Sequence, residues 1–116
     1  VACKIQIEGP VTKAQLERDI RLLTTLAKRL PSRSFIARLS ESDIQDNIPL
    51  YLDESEAAAR CAATGYVSET GKKVITALRN AAAAGDIRQG VGNAFSAVHK
   101  ACSELRCLSA AFGEID

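Results

Sequence analysis

A chain of 116 residues with 47% hydrophobic and 25% charged content has room for one globular domain of modest core, not for two. Its formal net charge of +1 excludes the strongly basic surface of a stand-alone nucleic-acid binder and any polyanionic tail. Aromatics make up 4%, Met and Trp are absent, and the four cysteines are the one unusual count.

The chain starts at Val1 without Met, which reads as a mature chain whose signal peptide has been removed, and hence as a secreted protein. No run approaches the roughly 18–20 apolar residues of a membrane span. Cys3-Lys4-Ile5-Gln6-Ile7 alternates with period two and predicts an extended arm over residues 1–11, ended by Gly9-Pro10. Thr12 with Gln15 forms a capping box, and Val11 can staple onto Leu16. Leu16, Ile20, Leu23, Ala27 and Leu30 then share one face, Leu22 and Leu26 widen it, and Pro31 stops a helix predicted over 13–30.

Ser34 is the expected cap of a short helix over 34–40, and Ser42 or Asp43 of a further turn around Ile44. Asn47 then reads as the cap of a helix over 48–64, with Pro49 in its first turn and Gly65 as its stop. A helix over 68–84 buries Val74, Leu78 and Ala81, with Val67 just before it also inward, and ends at Gly85. Asp86 can cap the last helix, over 87–112. Its seam runs Ile87, Val91, Ala94, Val98, Ala101, Leu105, Leu108 and Phe112, closed by Gly113. Gly90 and Gly92, with Ala94, Ala97 and Ala101, would admit a close neighbour. The expectation is therefore an all-α bundle of about four to five helices in one domain, 1–116, with a long C-terminal spine.

Cys102 and Cys107 point about 140° apart on one helix and cannot bridge each other. Two disulfides are expected, Cys61–Cys102 across the core and Cys3–Cys107 clipping the arm, with Cys3–Cys102 and Cys61–Cys107 as the alternative crossing. No Cys or His spacing suits zinc, the Asp43/Asp46 pair lacks calcium-loop spacing, and Gly90-Val91-Gly92 follows no strand. No metal site and no cofactor is expected. The single His99, flanked by Ser96 and Ser103, has no orienting acid and reads as solvated or partly covered, so no catalytic site is expected.

Charge is unevenly spread. Up to Arg38, Lys4, Lys13, Arg18, Arg21, Lys28, Arg29, Arg33 and Arg38 outweigh Glu8, Glu17 and Asp19, whereas from Leu39 to Arg60 the acids Glu41, Asp43, Asp46, Asp53, Glu54 and Glu56 outweigh Arg60. Such a dipolar surface suits an anionic headgroup or self-association. Apolar residues in surplus of one core stripe, namely Leu22, Leu26, Phe35, Ile36, Leu50 and Tyr51, are the expected lining of a ligand site. The functional expectation is a secreted, non-enzymatic carrier of an apolar small molecule or lipid. The alternative is a protein-interaction or self-assembling module using the same residues, with no small-molecule ligand.

Overall fold

The computed structural model describes residues 10–115. The arm over residues 1–9, Cys3 included, and the side chain of Phe112 lie outside the described residues. Among those described, four long helices and one single-turn helix carry the chain, with no strand: α1 (Lys13–Arg29), α2 (Arg33–Ile36), α3 (Glu41–Cys61), α4 (Gly65–Ala84) and α5 (Ile87–Ile115).

The capping box forms as the sequence implies. Thr12 N–H donates to Gln15 Oε1 at 2.9 Å and Gln15 N–H to Thr12 Oγ1 at 3.1 Å, while Val11 packs on the core. Pro31 excludes the helical conformation from Leu30, whose φ/ψ of −84°/146° ends α1.

Several expected boundaries are corrected. Among them are the end of α5, which runs through Gly113 to Ile115 rather than closing there, and the start of α4, at Gly65 rather than 68. Ser32, not Ser34, caps α2, its Oγ accepting from Phe35 N–H at 3.2 Å, and the helix spans one turn rather than 34–40. α3 begins at Glu41, capped by Ser40 through Asp43 N–H at 3.1 Å, so Asn47 caps nothing. The Asn47 side-chain amide instead donates back to the Asp43 carbonyl at 2.8 Å. Pro49 therefore sits inside a helix, where its missing N–H and ring cost about 3 kcal/mol. Ile44, Ile48 and Tyr51, at a spacing of four and three, are all buried and offset that loss.

Gly65 is likewise no stop. α3 ends at Cys61, Ala62 turns extended, and Thr64 caps α4, whose first residue is Gly65. At the other end of α4, Gly85 takes φ +84°, the left-handed conformation that favours Gly. Asp86 then serves α5, its Oδ1 accepting from Gln89 N–H at 3.4 Å.

Side-chain contacts fix the topology. Arg18 meets the Cys61 carbonyl and Arg29 meets Glu54, so α1 and α3 run antiparallel. Thr24 meets Cys102 while Arg33 meets Ser96, which sets α5 antiparallel to α1. With short turns joining α3 to α4 and α4 to α5, the four long helices alternate in direction, and α5 packs against both α1 and α4. At 1.5 Å per residue α5 is roughly 43 Å long, and it sets the long dimension of a 50 × 25 × 19 Å body.

The α5 seam is consumed inside this bundle. Ile87, Val91, Ala94, Val98, Ala101 and Leu105 are buried with Leu16, Leu23, Ile44, Val67, Val74 and Leu78. Small residues bring two helix pairs close: a Cβ on Gly71 would lie 2.7 Å from Ala59 Cβ, and one on Gly90 would be 3.0 Å from Ala81 Cα. Gly92, by contrast, faces the Arg33 guanidinium rather than a helix backbone.

One buried carboxylate was not anticipated. Asp19 is fully buried and caps the α3–α4 turn from α1: Oδ1 accepts from Ala63 N–H at 2.8 Å, and Oδ2 from Thr64 N–H at 2.9 Å and Thr64 Oγ1–H at 2.7 Å. These amides would otherwise be left unpaired between two helices.

The expected cysteine pairing is corrected too. Cys61 is an exposed free thiol and Cys102 a buried one. Cys102 Sγ faces α1, 3.4 Å from Thr24 Oγ1, which satisfies it without a bridge. Neither Cys61–Cys102 nor the alternative crossing through those two residues forms. The Cys3–Cys107 pair includes Cys3 and so lies outside the described residues.

Candidate ligand groove

The corner where α1 turns into α2 builds an open groove of about 470 Å³. The last turn of α1 supplies Ala27, Lys28 and Arg29, and the chain reversal adds Leu30, Pro31 and Ser32. Phe35 from α2, Arg38 just beyond it, Tyr51 from α3 and Phe95 from α5 complete the lining. Helix α2 owes its place to the preceding Pro and to the Ser32 cap, which together turn Phe35 outward while burying Ile36.

The groove joins three aromatic rings to three cations. Phe35 remains 48% exposed, with the Arg38 guanidinium carbon 6.0 Å from its ring centroid, a cation–π distance. Phe95 lies half-buried, its ring centroid 6.0 Å from that of the exposed His99. Tyr51 is buried, and desolvation raises its phenol above the ordinary tyrosine range, so the hydroxyl stays neutral at physiological pH. Arg29 is neutralised by Glu54 at 2.7 Å. Lys28 and Arg38 have no ion-pair partner among the described residues. The site thus offers an apolar floor with two uncompensated positive charges at its margin.

The six apolar residues expected to line one site are not brought together. Phe35 and Tyr51 do share this groove. Leu22 and Leu26 line a separate depression of about 100 Å³ between α1 and α3, beside Cys61. Ile36 faces a third, of about 180 Å³, on the other flank of α2. Leu50 stands 53% exposed on α3 and lines none of these depressions. Leu26, Ile36 and Tyr51 are instead core residues, packed with the rest of the buried cluster.

Lys28, Arg29, Arg38 and Phe95 were missed as lining residues. Lys28, Arg29 and Arg38 enter the sequence reading for charge alone, and Phe95 lies off the strict seam of α5. Their only signal in the sequence was position: Pro31 forces a reversal that carries the basic end of α1 back toward whatever follows.

Of the expected charge dipole, Arg29 pairs with Glu54 at 2.7 Å between α1 and α3, while Glu56 pairs with Arg79 of α4 at 3.3 Å. Among the described residues no group of three or more His, Cys, Asp or Glu is placed to hold a metal ion, and no helix is long and apolar enough to cross a membrane. The chain matches no protein-family model, no curated protein and no solved structure.

Proposed function

We propose that this is a non-enzymatic helical binding protein that carries an apolar small molecule or lipid with an anionic end. The observation that supports it is the α1–α2 groove, where Phe35, Tyr51 and Phe95 form an apolar floor and Lys28 and Arg38 stand without carboxylate partners. Its volume falls within the roughly 300–1,000 Å³ of small-molecule sites. A single-chain ligand would lay its tail on the rings and its carboxylate against Arg38 and Lys28. Titrating dodecanoate by calorimetry tests this. Phe35→Ala and Arg38→Gln should each weaken binding about tenfold, the scale of one buried aromatic contact or one charge-assisted hydrogen bond. Leu50→Glu should leave it unchanged. Absence of saturable binding, or equal affinity in all variants, refutes the carrier reading.

A protein-interaction role is the second reading, favoured by Leu50. It is exposed, and helical spacing places Asp46 and Asp53 beside it on α3, an apolar knob between two acids. Sedimentation at low and high salt, with Leu50→Glu as comparison, tests self-assembly. A monomer under every condition removes that form of the reading.

We propose also that the protein works in an oxidising compartment, as a secreted protein, with Cys3–Cys107 as its bridge. The support is the remaining count, since Cys61 and Cys102 are free thiols. Alkylation of the unfolded, unreduced protein should label two cysteines, and labelling of all four refutes the bridge.

A further inference from the structure

On the opposite flank of α2 from the ligand groove, two arginines converge on one small pocket. Arg33 from α2 and Arg88 from the first turn of α5 line it, with Ile36, Ala37, Gln89 and Gly92. Its volume is about 180 Å³, room for a tetrahedral oxyanion and a few waters but not for a drug-sized ligand.

Both guanidinium groups are held in place by neutral acceptors. Arg33 Nε donates to Ser96 Oγ at 2.9 Å and Nη2 to Asn93 Oδ1 at 3.3 Å. Asn93 Oδ1 is fixed in turn by Gln89 Nε2 at 3.0 Å. Arg88 Nη1 donates to the Ile36 carbonyl at 2.6 Å, a part-buried contact. Each guanidinium carries five N–H donors, so most of those on both side chains remain uncommitted.

Neither arginine has an ion-pair partner among the described residues. The carboxylate nearest in sequence, Asp86, is occupied with capping α5 through Gln89 N–H. Gly92 keeps the floor clear: a Cβ there would lie 3.1 Å from Arg33 Nη1. Two like charges lining one pocket repel each other, and an anion between them removes that repulsion while accepting the free donors in forked geometry.

We propose that this pocket is an oxyanion site that takes a phosphate group, with Arg33 and Arg88 as its two ligating side chains. It is independent of the carrier groove, since the two share no lining residue. The group can arrive as inorganic phosphate or as the end of a phosphomonoester, and the chemistry of recognition is the same.

Titration of the full chain with inorganic phosphate, and separately with glycerol 3-phosphate, followed by phosphorus NMR at low ionic strength, tests the site. Saturable binding of either probe is expected in the millimolar range or tighter. If the site takes the free ion, phosphate binds at least as well as the ester; if it takes a phosphorylated ligand, the ester binds more tightly. Arg33→Gln and Arg88→Gln should each lower affinity about tenfold or more, whereas Lys28→Gln and Arg38→Gln should change it less than about twofold. Ser96→Ala retains both charges and frees Arg33, so a loss of about two- to fivefold reports positioning and guards against variants that fail to fold. No saturable binding of either probe overturns the proposal. So does an equal loss in all four charge variants, which would mean diffuse attraction to a basic surface.

Discussion

Replacing Asp19 by Ala removes a buried acceptor on which two backbone amides and one hydroxyl depend, at 2.8, 2.9 and 2.7 Å. Ala63 and Thr64 lie in the turn between α3 and α4, so no helical carbonyl replaces the lost oxygen atoms. An unsatisfied buried donor costs about 1–3 kcal/mol, and more where the partner was charged. Water entering the vacated space recovers part of this, which puts the expected loss at about 3–5 kcal/mol. Against a total stability of roughly 5–15 kcal/mol that is severe. At about 4 °C per kcal/mol for a chain of this size, the melting temperature should fall by about 12–20 °C.

Asp19→Asn should behave similarly despite its equal volume, because one carboxylate oxygen becomes an N–H set against another donor. Urea denaturation followed by helical circular dichroism gives the free energy, and hydrogen exchange at Ala63 and Thr64 gives the local effect. Combining Asp19→Ala with Thr64→Val should show coupling of about 1 kcal/mol or more. A loss below about 1 kcal/mol, additive with Thr64→Val and with the two amides still protected, would refute the capping argument.

Gly90→Ala should destabilise by about 1–3 kcal/mol by forcing α4 and α5 apart at Ala81, although Ala is the better helix former by about 1 kcal/mol; a gain in urea midpoint would contradict the close approach. Gly85→Ala, at φ +84°, should cost about 1 kcal/mol in the same assay, because an L side chain strains the left-handed turn. Burial raises the phenol pKa of Tyr51, and burial with the nearby Glu104 carboxylate raises that of Tyr66. The unfolded phenols release their protons first, near pH 10, so stability is full below that and falls as pH rises through the folded values. The urea midpoint should therefore drop between pH 9 and 11, with a shallower drop in Tyr66→Phe.

The helices were legible wherever apolar periodicity and a cap agreed. Thr12, Gln15 and Pro31 delimit α1 almost to the residue, and the seam from Ile87 to Leu105 is the spine it looked to be. Reading failed where a local signal was overridden by packing. Pro49 and Gly65 are strong punctuation, yet Ile48 and Tyr51 seat α3 through the first, and Asp19 makes Thr64 the operative cap beside the second. That carboxylate acts across more than forty positions of sequence, which no periodicity encodes. Leu26, Ile36 and Tyr51 look like surplus apolar surface in the sequence but are core residues, because burial by neighbouring helices is not encoded in the periodicity of any one helix. The groove itself depends on where a corner of α1, α2, α3 and α5 leaves space, and Phe35 and Tyr51 were its members legible from the sequence.

The measurement that bears most directly on the carrier account is an amide chemical-shift map of the folded protein on titration with dodecanoate. Shifts should saturate together and concentrate at residues 27–38, Tyr51 and Phe95, with Arg38→Gln moving the titration midpoint to higher ligand concentration. Shifts that fail to saturate, or that centre on Leu22 and Cys61 or on Leu50 instead, would contradict it.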